Sequence, residues 1–257
     1  MTANTTSQNT PGTAGGGATA IDPALIQDLA AANHILYNQG VLDAFGHVSM
    51  RHPNNPNRYL LCRNMAPALV QPEDIIEYTL DSEPVNDNGR KSYLERFIHG
   101  EIYKKRPDVM AVVHSHSQSV VPFSVVKERP LRPVCHMAGF LGLGSPIFEI
   151  SDTAGDGTSL LVTNPALGEA LATSLEAGSI VLMRGHGSTV VADDLKKAVY
   201  RAVYAEINAR TQMQALQLGT PRYLSEKEAQ ATTETIETQV VRAWDLWKRQ
   251  ADEASVG

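Results

Sequence analysis

Val109-Met110-Ala111-Val112-Val113-His114-Ser115-His116 is an apolar, β-branched run closed by two imidazoles. Such a run reads as a strand buried within a sheet. Side chains alternate along a strand, so residues two apart point the same way. His114 and His116 can therefore reach one metal ion together. A third candidate stands in Val181-Leu182-Met183-Arg184-Gly185-His186-Gly187, where a histidine again closes an apolar run between glycines that permit a tight turn. A lone histidine at a strand end is usually solvated or hydrogen-bonded, which is the competing reading of His186. Three imidazoles together make a catalytic metal set with a coordination position left open for substrate.

Outward from these runs, helical and extended patterns alternate. Residues 1–20 are rich in Thr, Asn and Gly with almost no apolar content, and read as a disordered tail. The folded domain, residues 21–257, opens where Asp22 can cap a helix with Pro23 at its first position; that helix runs to about Asn38 and ends at Gly40. Strands are expected at 46–51, 58–62 and 75–79, with Asn54-Asn55-Pro56-Asn57 as the first turn. A helix over about 92–105 leads through Arg106-Pro107 into the His-x-His strand. A Pro- and Gly-rich loop at 129–146, a strand near 147–150 and a helix at 165–177 follow. Strands at 179–184 and 187–191 flank His186, and helices at 194–217 and 225–250 complete the chain. One α/β domain with a mixed sheet covered by helices accounts for this order.

Composition narrows the function classes. The 257 residues carry a net charge of −6 without a lysine or arginine cluster, which argues against nucleic acid as a partner. No stretch approaches the ~20 apolar residues of a membrane span. The first residues lack the basic start and apolar core of a secretion signal, and two cysteines, Cys62 and Cys135, do not make a disulfide scaffold. A cytoplasmic protein is expected.

Ser92-Tyr93-Leu94-Glu95 begins the second predicted helix, nineteen residues before His114. One reading is a capping box, with Ser92 as cap and Glu95 reaching back to it. The other is a carboxylate held near a metal, where it moves a proton. Spacing alone leaves both open. His34 and His99 fall within predicted helices and read as packing or surface residues. Trp244 and Trp247, three apart, read as anchors of the last helix. Gly139-Phe140-Leu141-Gly142-Leu143-Gly144 lacks the lysine of a phosphate loop and reads as a turn.

Taken together, His114, His116, His186 and Glu95 resemble the class II aldolase/adducin family, and Gly46-His47-Val48-Ser49-Met50-Arg51 resembles that family's Gly-Asn-Val-Ser-x-Arg strand. The resemblance spans roughly residues 22–215. It implies an α/β/α sandwich around a central mixed, largely antiparallel sheet. It also implies one divalent metal ion per subunit and a homotetramer with active sites at subunit contacts. Zinc is the expected ion, with manganese, cobalt or iron as alternatives.

Departures from the sugar-phosphate pattern carry further information. The phosphate-binding Asn is His47 here, the Thr-Gly turn is Arg63-Asn64-Met65-Ala66-Pro67, and the paired serines before the essential Glu are Tyr93 and Leu94. These changes remove small donors that a phosphate dianion would need. Arg63 offers instead a planar fork suited to a carboxylate, or else a surface ion pair. His136, in Pro133-Val134-Cys135-His136-Met137, aligns with the tyrosine proton donor of the family's aldolases; a loop histidine bonded to backbone is the alternative. The combination resembles the subgroup that decarboxylates dihydroxyphthalates and carboxylated muconic semialdehydes. The expected function is a metal-dependent carbon–carbon lyase acting on a small carboxylated substrate. Glu95 and His136 are its candidate catalytic groups, His114, His116 and His186 its metal ligands, and Arg63, His47 and Tyr93 its substrate contacts. The alternatives are an aldolase or epimerase of a hydroxy-aldehyde or sugar phosphate, and a silent adducin-like scaffold.

Overall fold

The computed structural model describes residues 21–254, so the tail expected over 1–20 lies outside the described residues. In chain order the helices are α1 (Pro23–Asn38), α2 (Arg96–Lys105), α3 (Val121–Val125), α4 (Ser151–Ala154), α5 (Pro165–Leu175), α6 (Leu195–Leu218), α7 (Glu226–Ile236) and α8 (Val240–Ala254). The strands are β1 (His47–Arg51), β2 (Arg58–Cys62), β3 (Ile75–Thr79), β4 (Ala111–Ser115), β5 (Ile147–Phe148), β6 (Ile180–Met183) and β7 (Gly187–Ala192). They form one seven-stranded sheet in the order β3-β2-β1-β4-β7-β6-β5. Every pairing is antiparallel except β5 with β6. The mixed, largely antiparallel sheet is thus present.

Strand alternation divides the apolar residues into two cores. Val48, Leu60, Val113 and Leu182 face α1, α6 and α8; Leu61, Val112, Val181 and Val191 face α2 and α5. Helices therefore cover both faces, giving the α/β/α sandwich, and the central strands read as continuous apolar runs because neither face meets water. Trp244 and Trp247 are buried in the first of these cores and anchor α8.

Three of the differences from the sequence expectation have a clear local reason. The second helix begins at Arg96 rather than 92, because Ser92 accepts a hydrogen bond from the Tyr78 hydroxyl and Glu95 is drawn into the sheet end. The fifth strand stops at Phe148, where the Glu149 carboxylate accepts from the Ser151 backbone N–H and turns the chain into α4. The last predicted helix is two, α7 and α8, joined by a 3-10 turn at Glu237–Gln239 whose Glu237 is tied to Arg201. The first helix follows expectation, with the Asp22 side chain accepting from Ala24 N–H and Gly40 in the left-handed region.

Candidate metal centre and active site

β4 and the β6–β7 hairpin end side by side, and this junction gathers the three histidines. His114 is the penultimate residue of β4, His116 lies just beyond its end, and His186 occupies the turn between β6 and β7. Gly187 is required there, since a Cβ at that position would run into the Ser115 carbonyl. Gly185 supplies the left-handed residue of the same turn, with φ +64°.

His114 Nδ1 lies 3.2 Å from the Ser188 carbonyl and His186 Nδ1 lies 2.8 Å from the Leu160 carbonyl. A carbonyl only accepts, so each Nδ1 carries the proton and each Nε2 keeps a lone pair. These Nε2 atoms converge: His116 Nε2 is 3.2 Å from that of His114 and 3.0 Å from that of His186. Ligands on a tetrahedral ion with bonds of ~2.0–2.1 Å stand about 3.3 Å apart. Converging lone pairs with outward N–H groups anchored on backbone carbonyls are the donor set of a metal site, and the residues fit a divalent ion. Burial and the neighbouring imidazoles hold His116 down at about 4, which favours its neutral, ligating form.

Glu95 completes the cluster. Its carboxylate oxygen stands 3.5 Å from His114 Nε2 and 3.4 Å from His186 Nε2, and all four ligand atoms lie within 4.8 Å of one another. The capping-box reading does not hold, because the second carboxylate oxygen accepts the Val162 backbone N–H across the site, 2.9 Å away, and makes no cap bond to α2. Burial would raise its pKa, but the closeness of the His114 and His186 imidazoles outweighs it and keeps the carboxylate below its usual range. Glu95 is therefore an anion at neutral pH.

A cleft of about 370 Å³ opens onto this cluster. Glu95 and His116 line it together with Phe45, His47, Asn64, Met65, Ala66, Tyr93, Leu94 and Leu161. No lysine or arginine is among the described residues that line it. Tyr93 packs its ring 4.6 Å from that of His47 and donates its hydroxyl proton to the Met65 carbonyl, so it shapes the wall. His47 is paired in register with His114 on the neighbouring strand, and burial followed by the charge-sensitive proximity of His99 and His114 pushes it well below its ordinary pKa.

Two expected site residues stand elsewhere. Arg63 does not line the cleft: its Nε donates to Asp74 Oδ1 at 2.6 Å, and the cleft takes Asn64, Met65 and Ala66 from the same turn. The carboxylate fork expected of Arg63 is therefore turned to an ion pair within its own protomer. His136 opens a 3-10 turn and lines a different cavity, with Tyr200, Tyr204 and Trp247. It does not join Glu95 within one chain.

Two supports escaped the sequence reading. His99, expected as packing, is fully buried and bonded through both ring nitrogens, to His47 and Ser49. Glu206, on α6, accepts from the Ser117 hydroxyl and from the Ser119 hydroxyl at 2.6 Å, which pins the segment just after His116. The available signal was a single acid in an alanine- and valine-rich helix, facing two serines two residues apart.

Residues 27–213 match the class II aldolase and adducin N-terminal domain. The chain belongs to this family. Decarboxylase tropJ of Talaromyces stipitatus is 38% identical over 242 residues, covering 85% of this chain and 91% of that protein. The 3,4-dihydroxyphthalate decarboxylase of Arthrobacter keyseri is 28% identical over 206 residues, covering 74% and 78%. Among solved structures, an L-fuculose 1-phosphate aldolase from Glaciozyma antarctica superposes with a TM-score of 0.73 at 22% identity, over 90% of this chain and 91% of that one. That likeness shows the class II aldolase fold, and with it the expected α/β/α architecture.

Proposed function

We propose that this member of the class II aldolase and adducin family is a metal-dependent decarboxylase of a hydroxylated aromatic acid or its ring-cleavage product. The observation that carries the reading is the cleft beside Glu95 and His116. Apart from Asn64 its walls are apolar or aromatic, and no lysine or arginine lines it among the described residues. A flat ring gains from such walls, whereas a phosphate dianion would lose its hydration without small hydrogen-bond donors to replace it. The relatives named decarboxylases support the same reaction class.

His114, His116 and His186 would hold the divalent ion, zinc being the first candidate and manganese, cobalt or iron the others. When bound, that ion supplies Lewis-acid stabilisation for the electron pair left behind as carbon dioxide departs. Glu95, an anion, accepts the proton of a substrate hydroxyl as the ligand settles in the cleft. The bond from ring carbon to carboxylate then breaks, its electron pair stays with the ring, and Glu95 returns the proton to that carbon. Tyr93 takes no part in the transfer, because its hydroxyl is committed to the Met65 carbonyl and burial raises its pKa. His47 and the Asn64–Ala66 turn orient the ligand. His136 enters the chemistry only from a second copy, which accords with a homotetramer whose sites lie at subunit contacts.

The decisive experiment follows both products over one substrate panel. Hydroxylated benzoates, phthalates and muconic semialdehydes should release carbon dioxide, while hydroxy-aldehyde phosphates should be inert. Aldehyde release from sugar phosphates with no carbon dioxide from any acid would return the assignment to an aldolase. Inertness of metal-loaded protein towards the whole panel would favour a scaffold.

A further inference from the structure

Beneath the cleft, a buried polar chain runs from β1 into α2. His47 and Ser49 are two apart on β1 and share one face of the strand. His99 and Tyr103 are four apart on α2 and share one face of the helix. The two faces meet. His47 Nδ1 lies 2.7 Å from His99 Nε2, His99 Nδ1 lies 2.6 Å from Ser49 Oγ, and Ser49 Oγ lies 2.8 Å from the Tyr103 hydroxyl. All four side chains are buried.

The direction of this chain follows from counting protons. Among the described residues, the Tyr103 hydroxyl has one hydrogen-bond partner, Ser49. An O–H buried there without an acceptor would be costly, so Tyr103 donates to Ser49. The Ser49 proton is then directed at His99 Nδ1, which must accept. A neutral His99 carries its proton on Nε2 and donates it to His47 Nδ1. The remaining proton of His47 therefore sits on Nε2, the ring nitrogen without a protein partner among the described residues, on a side chain that lines the cleft.

We infer that His99 is a positioning residue that holds His47 as its Nε2–H tautomer, so that the cleft presents a hydrogen-bond donor to an oxygen of its ligand. Reversing the chain would leave Tyr103 without an acceptor and turn His47 into an acceptor itself. A neutral donor on a largely apolar wall suits a carboxylate or carbonyl oxygen. That consequence for the ligand rests on the proposed reading of the cleft, whereas the tautomer does not.

Long-range proton–nitrogen correlation spectra of the full-length protein with isotope-labelled histidine read both tautomers directly; His47→Asn and His99→Gln variants provide the assignments. The wild type should show His47 and His99 protonated at Nε2 and bare at Nδ1. A His47 protonated at Nδ1 would overturn the inference. Tyr103→Phe removes only the terminal proton, and should turn the single His47 tautomer into a mixture; an unchanged single tautomer would remove Tyr103 from the account. Salicylate, a simple hydroxylated carboxylate, should shift the His47 Nε2 resonance. If the tautomer is as stated and salicylate leaves that resonance unmoved, the substrate reading fails and the positioning role stands.

Discussion

Glu95 and Ser92 are neighbours in sequence and belong to different structures. The serine accepts a bond from Tyr78 on β3, while the carboxylate spans from the Val162 N–H to the imidazoles of His114 and His186. A carboxylate so held contributes little to capping α2, and its replacement should be felt in chemistry. Glu95→Gln keeps the shape and the acceptor for Val162 but loses the proton-accepting oxygen. Turnover should fall ~100- to 10,000-fold, with a melting temperature close to that of the wild type. A variant of normal activity and lowered melting temperature would mean that Glu95 is structural after all. His99 teaches the converse: a histidine inside a helix looked like packing, and only its contacts with His47 and Ser49 reveal a polar role.

At the scale of elements, what could be read from sequence was set by periodicity. The β-branched runs ending at His114 and Met183 announced buried strands, and the strands observed there differ from expectation by a residue or two. The gathering of His114, His116 and His186 followed, because alternation along β4 and the glycines around His186 are local properties. Arg63 and His136 were legible only as residue types. Which way Arg63 points is decided by Asp74, eleven residues on and in a separate 3-10 turn, and no local pattern carries that pairing. Similarly, Glu206 meets Ser117 and Ser119 only because α6 packs beside the end of β4. That contact makes a prediction of its own. Glu206→Ala leaves two serine hydroxyls without their acceptor and frees the segment that aims His116. Metal affinity should fall about 10- to 100-fold, as expected when a group that orients a ligand is removed. Titration of the metal-stripped variant against a competing chelator checks this, and an unchanged affinity would assign Glu206 to stability alone.

For the whole molecule, two helical layers cover the sheet and leave its histidine-bearing strand ends beside a cleft. This accounts for the division of labour. The cores are apolar on both faces, while the buried polar groups Glu95, His99 and Glu206 gather around the histidine cluster. No helix among the described residues is long and apolar enough to cross a membrane. The proposed chemistry requires His114, His116 and His186 to act together as ligands of one ion. Elemental analysis of purified wild type beside a folded His114→Ala, His116→Ala double variant measures this directly. One divalent ion per subunit is expected in the wild type and near-complete loss in the variant; wild-type occupancy retained by that variant would contradict the ligand assignment.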